Sequence, residues 1–286
     1  MKRNIVKAKL DIIFKKLFAD TKNQNILHAF ISDILDIPYN DIKRIEIADP
    51  EMVPDAMDEK FCRLDVKLNV NDKLVNIEIQ INNEGFYEDR STYNWARLFT
   101  SDLKSGENYG ELKQCITINI INFNMFECSE YHSSFSLRED TRNEKLTDKC
   151  AIHYFELKKI NKKPNPSDKK ELWMQLINAE SEEELDMLDN TNVAAIKDAV
   201  VVIKEMSADE KIQEQARRRE MMLHDKATAL WFSREQGKKE GLEEGEKIGR
   251  LDMIKNLMHS LNTDAKSAMD MLMIPKNEQE KYLESL

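Results

Sequence analysis

Two acidic side chains stand inside runs of apolar, largely β-branched residues, which is where a sequence places charge only for a reason. Arg63-Leu64-Asp65-Val66-Lys67 belongs to one such run and Ile77-Glu78-Ile79-Gln80 to the next, with Asn71-Asp72-Lys73 between them as a turn. Alternate side chains of a strand share a face, so Glu78 and Gln80 point one way while Ile77, Ile79 and Ile81 point into a core. Asp65 on the neighbouring strand of a hairpin can lie opposite them. A buried carboxylate is costly unless something neutralises it. A divalent cation does so, and Mg²⁺ in particular takes hard oxygen ligands at about 2.0–2.1 Å, using one or two protein carboxylates and leaving room for water and phosphate oxygens. The residue types therefore point to phosphodiester chemistry. The D-x(12)-E-x-Q spacing also fits an alternating strand with a solvated face, and spacing alone does not separate the two.

The elements around these strands follow from periodicity. Leu10, Ile13, Phe14, Leu17 and Phe18, then Ile26, Leu27, Phe30, Ile31, Ile34 and Leu35, recur at three- and four-residue steps and predict two helices broken near Asp20 to Asn25. Strands are expected over Ile42 to Ile47, Cys62 to Val70 and Leu74 to Ile81, the last two as a hairpin. A helix from Tyr87 to Lys104 ends at Ser105-Gly106. The continuous apolar run Cys115 to Phe123 suits a strand buried on both faces, with shorter strands at Ser133 to Leu137 and Ile152 to Leu157. Pro164 and Pro166 mark a shift to almost wholly helical composition. Three stretches result: 1–160, 161–235 and 236–286. The last opens on Gly237, Gly241, Gly245 and Gly249, each costing about 1 kcal/mol in a helix interior, and reads as a weak helical spacer or a close helix–helix contact, followed by short helices over Met253 to Leu261 and Ala265 to Met273.

Composition narrows the class. With 286 residues the chain can hold one sizeable domain and a smaller appendage. A charged fraction of 34% predicts much exposed helical surface. A net charge of -10 excludes a chain that coats nucleic acid indiscriminately. A local basic strip is then needed for DNA, either Lys158, Lys159, Lys162, Lys163, Lys169 and Lys170 or the run Arg217 to Arg219, which reads first as a solvated face. Cys62, Cys115, Cys128 and Cys150 form no C-x-x-C pair and suggest reduced thiols in a cytoplasmic protein. The charged N-terminus lacks an apolar targeting stretch, and no run reaches the length of a membrane span. The five histidines show no ligand spacing.

Several segments together resemble the PD-(D/E)XK nuclease family transposases, also called recombination-promoting nucleases. They are Asp11-Ile-Ile-Phe14-Lys15-Lys16-Leu17-Phe18, Lys60-Phe-Cys-Arg63-Leu64-Asp65-Val66, Asn76-Ile-Glu78-Ile-Gln80, Arg90-Ser-Thr-Tyr93, Gly106-x-x-Tyr109 and Ile152-His153-Tyr-Phe-Glu156-Leu157, spanning about residues 8 to 160. The resemblance implies an α/β protein with a restriction-endonuclease-like mixed-sheet core followed by an α-helical C-terminal region. It further implies Mg²⁺-dependent cleavage of DNA, with Mn²⁺ as a substitute, in recombination, mobile-element or phage biology. Asp65 matches the aspartate of the hairpin and Glu78 the acidic residue of the E-x-K half-motif, so both become metal ligands. Gln80 occupies the lysine position, a departure from the superfamily pattern, and would orient the attacking water. Asp11, Lys15, Arg90 and Tyr93 are the candidates for contacts to DNA. Two rival readings stay open: an inactive nuclease-fold scaffold working through its helical C-terminal half, and a transposase proper. Self-association through the nuclease core or the C-terminal helices also stays open.

Overall fold

The computed structural model describes residues 5–47, 66–101, 103 and 106–286. Cys62, Arg63, Leu64 and Asp65, the proposed metal ligand, lie outside the described residues. The chain forms two compact units, Met1–Leu223 and His224–Leu286.

The first unit is built on a mixed sheet of six strands: β1 (Ile45–Ile47), β2 (Val66–Val70), β3 (Lys73–Gln80), β4 (Gln114–Ile121), β5 (His132–Phe135) and β6 (Cys150–Glu156), in the order β1-β2-β3-β4-β6-β5. β1 pairs with β2 and β2 with β3 antiparallel, β3 pairs with β4 and β4 with β6 in parallel, and β5 closes the far edge antiparallel to β6. The β2–β3 hairpin turns at Asn71, whose backbone is left-handed (φ 51). Asparagine tolerates that conformation, and here its side chain is also anchored: Oδ1 accepts from the backbone N–H of Lys43 at 2.8 Å, and Nδ2 donates to the carbonyl of Asp41 at 3.0 Å. The hairpin register, Val66↔Ile77 through Val70↔Lys73, sends Val66, Leu68, Val75 and Ile77 to one face and Lys67, Asn76 and Glu78 to the other.

The apolar face meets helices. α1 (Asp11–Phe18) and α2 (Gln24–Leu35) pack on it through Ile13, Phe14, Phe18, Phe30 and Ile31. Helices α4 (Lys169–Asn178), α5 (Glu182–Asp189) and α6 (Ala194–Ala208) join the same core through Trp173, Leu185 and Ile203. Thus the strand-rich and helix-rich halves of this unit share one interior. α2 stops at Asp36, left-handed at φ 54, with Pro38 following. Asp168 caps α4 by accepting from the N–H of Glu171 at 2.9 Å. The opposite face of the sheet is covered by α3 (Tyr87–Ser101), where Tyr87, Ile121, Phe123, Ile152 and Tyr154 form a smaller apolar cluster.

α7 (Glu210–Leu261) begins in the first unit and continues into the second. It is one uninterrupted helix through all four glycines, and a Cβ added at any of them would meet open space. The second unit adds α8 (Ala265–Met271) and α9 (Lys276–Leu283), whose core is Ile254, Ala268, Met269, Ile274 and Tyr282. α9, which the sequence pattern did not predict, starts directly after Pro275, its N-cap residue. Among the described residues no helix is long and apolar enough to cross a membrane.

Candidate active site on the polar face of the sheet

Glu78 sits in the third strand with 6% of its surface exposed. Neutral donors converge on it: Asn94 Nδ2 at 2.9 Å and Asn76 Nδ2 at 3.1 Å reach Oε1, and the Tyr87 hydroxyl lies 3.4 Å from Oε2. The Tyr87 hydroxyl also donates to Asn119 Oδ1 at 3.1 Å, and Asn119 Nδ2 in turn donates to the carbonyl of His153 at 3.0 Å. The strand pairing explains the convergence, since Asn76 is opposite Thr117 and Glu78 opposite Asn119 in the parallel β3–β4 ladder. Residues opposite one another share a face, so the polar positions of two buried strands coincide. Tyr87 and Asn94 come from α3 with a spacing of seven residues, two turns along one side of the helix.

Gln80, the next residue on the same face, is held from several directions. Its amide oxygen accepts from Arg90 Nη2 at 2.8 Å and its Nε2 donates to the carbonyl of Asn82 at 2.9 Å. The Arg90 guanidinium lies 4.8 Å over the Tyr87 ring and 3.6 Å from a carboxylate oxygen of Glu84. Tyr93, three residues after Arg90 on α3, is 61% exposed, with Arg97 5.9 Å from its ring. Asp11 is far along the chain from these residues and is paired with Arg219 of α7: Arg219 Nε donates to Oδ1 at 2.9 Å and its Nη2 to Oδ2. Arg219 is therefore half-buried in an ion pair, unlike Arg217 and Arg218, which are exposed and bind Glu214. Lys15 is half-buried on α1. Of the lysine strip, Lys159 is committed to the buried Glu156 at 2.6 Å and Lys170 to Asp36 at 2.5 Å.

Among the described residues no group of three or more His, Cys, Asp or Glu side chains is arranged to hold a metal. Mg²⁺ asks for less than that, one or two carboxylates and other hard oxygens. The donor chemistry here fits: besides the Glu78 carboxylate, the buried Oδ1 of Asn76 and Oγ1 of Thr117, on the same face, have no hydrogen-bond partner among the described residues. Asn76, Tyr87, Asn94 and Asn119 were not singled out by spacing. Asn76 could have been, because it continues the alternate stripe of Glu78 and Gln80.

The histidines do show one contact that spacing conceals. His132 Nε2 and His153 Nδ1 are 3.0 Å apart, on antiparallel β5 and β6. Burial first, then the charges of His132 and Lys170, hold the His153 imidazole well below its ordinary value, at about 4, against a smaller opposing effect of Asp36. His132 is lowered as well, chiefly by burial. An unfolded chain binds these protons near the ordinary histidine value of about 6.5. Between that pH and about 4 the unfolded state therefore carries more protons, and stability falls as the solution is acidified through this window. The expected result is a urea midpoint that declines over that range in the parent and declines less in His153→Gln. Parallel curves for the two proteins would remove the histidine pair as the cause.

No curated protein and no solved structure matches the chain. A family model does, over residues 8–231, which takes in the sheet, α3 and the helices that complete the first core. With Glu78 and Gln80 of the matched region on the polar face of a mixed six-stranded sheet, this chain belongs to the PD-(D/E)XK nuclease family transposases.

Proposed function

We propose that the protein is a Mg²⁺-dependent DNA endonuclease that hydrolyses phosphodiester bonds, acting in the cytoplasm in recombination, mobile-element or phage biology. The observation that carries this reading is the setting of Glu78: a buried carboxylate in mid-sheet, aligned by amide and hydroxyl donors. Asp65 is proposed as the second ligand. The described β2–β3 register reaches Val66↔Ile77, and Asp65 immediately precedes Val66 in the sequence.

When bound by Glu78, Asp65 and neighbouring oxygens, the cation would lower the pKa of a coordinated water and polarise the phosphoryl oxygen. The chain's own side chains do the rest. Asn76 and Asn94 fix the orientation of the Glu78 carboxylate, and Tyr87 ties it to β4 through Asn119. A carboxylate whose rotamer is held needs little reorganisation when charge develops nearby. Gln80 lies at the open end of this row, half-buried, where the attacking water would be oriented. Asp11, Lys15, Arg90 and Tyr93 are proposed contacts to DNA, those of Asp11 acting through the arginine it binds.

The test is nicking of supercoiled plasmid. The parent is expected to cut with Mg²⁺ or Mn²⁺ and not with chelator, Asp65→Ala is expected to be inactive, and calorimetric titration is expected to show weaker Mg²⁺ binding by that variant. Equal cutting and equal metal binding by parent and Asp65→Ala would overturn the assignment of Asp65. A parent that leaves plasmid intact with either metal would favour the scaffold reading instead.

A further inference from the structure

Hydrolysis of a phosphodiester builds negative charge on the phosphoryl oxygens, and fixed donors aimed at that charge lower the barrier. Gln80 is a neutral amide, able only to donate and accept hydrogen bonds. Its hydrogen bonds are also already taken within the chain, the oxygen by Arg90 at 2.8 Å and the nitrogen by the Asn82 carbonyl at 2.9 Å and Glu84 Oε1 at 3.5 Å. Gln80 is thus placed as a bracket for a cation.

Resting on the nuclease reading above, we infer that Arg90 is the positively charged catalytic contact to the scissile phosphate, and that Gln80 is the residue that positions it. The geometry is a match of two stripes. Tyr87, Arg90 and Asn94 lie on one side of α3, and Glu78 and Gln80 on one side of β3. Tyr87 and Asn94 take the carboxylate, and Arg90, between them along the helix, takes the amide. The guanidinium is restrained by Gln80 and by the Tyr87 ring, yet its side chain keeps 39% exposure and so can reach an incoming phosphate. Glu84, 3.6 Å from Arg90 Nη1, is the competing anion, and a bridge at that distance on an accessible side chain is easily exchanged for a phosphate. Arginine stays protonated at every working pH and offers a planar fork of donors suited to phosphate. Its contribution is therefore electrostatic, with no proton transferred.

Lys67 provides the comparison, an exposed cation on the same face opposite Asn76. Arg90→Ala is expected to slow Mg²⁺-dependent nicking by about a hundredfold to a thousandfold, as loss of one transition-state donor does, while Lys67→Ala slows it far less. Adding Gln80→Lys to Arg90→Ala returns a cation to the row and is expected to recover a large part of the loss. A readout independent of cleavage is the salt dependence of binding to a short fluorescent DNA duplex with Ca²⁺ in place of Mg²⁺, where Arg90→Ala should flatten the slope by about one phosphate contact. Arg90→Lys, which keeps the charge, should leave that slope intact. Thermal melting confirms that each variant is folded. An active parent with an equally active Arg90→Ala, or no rescue by Gln80→Lys, would overturn the catalytic assignment. A parent unable to nick would instead remove the nuclease reading, and an unchanged salt slope would then remove the phosphate contact as well.

Discussion

Substituting Glu78 with alanine is expected to reduce Mg²⁺-dependent nicking by about a thousandfold or more, since a metal's charge stabilisation is worth several kcal/mol and each tenfold corresponds to about 1.4 kcal/mol. The same change strips an acceptor from Asn76 and Asn94 in a buried or half-buried setting, while the Tyr87 hydroxyl keeps Asn119. Unsatisfied donors cost about 1–3 kcal/mol each, so Glu78→Ala loses stability along with chemistry. Glu78→Gln separates the two. It keeps the shape and one oxygen acceptor but forfeits the charge that holds a cation. We expect it to melt close to the parent and to be inactive, with Mg²⁺ titration heats much reduced. If Glu78→Gln nicks plasmid at the parental rate, the carboxylate is structural and the site lies elsewhere.

The largest stability effect is expected at Trp173. Its side chain is fully buried, edge-on to Phe30 with ring centroids 5.5 Å apart, and 6.0 Å from Phe18. The indole N–H donates to Asp33 Oδ2 at 2.9 Å, and Asp33 also faces Lys169 at 3.3 Å. Trp173→Ala therefore opens a cavity in the core common to sheet and helices and removes a hydrogen bond to a carboxylate, at a cost of about 3–5 kcal/mol. Urea denaturation measures this directly. A shift worth less than about 1 kcal/mol would mean that α4 is not part of the cooperative core.

Elements whose local pattern and tertiary setting agree were legible in advance. The hairpin over Val66 to Gln80 and the helix starting at Tyr87 combine pattern, composition and a turn or stop signal, and the buried strand at Cys115 shows as a continuous apolar run. The break between α1 and α2 was equally readable from Asp20 to Asn25. The glycine row misled in part: four glycines weaken a helix, yet the flanking Lys, Glu, Leu and Arg carry it through as one element. At the site, alternation was enough to select Glu78 and Gln80. It could not select Asn94, Asn119 or Arg90, because their approach depends on a parallel pairing of β3 with β4 and on how α3 lies across it. Nor does spacing connect Asp11 with Arg219 across 208 positions, or bring His132 against His153.

The two edges of β3 differ in how soon they can form. Toward β2 the chain needs only a tight turn at Asn71 and Asp72, a local closure of the kind completed within microseconds. Toward β4 it must first lay down α3 and bring Gln114 back beside Lys73, a far longer excursion whose entropy is lost before any pairing compensates. The acidic side chain of β3 is consequently born on a solvated ribbon and is sealed from water only at the closing stage. Its desolvation falls late in the folding reaction, so ionic conditions that ease charge burial should act on the rate of that last step and leave the early ribbon unaffected.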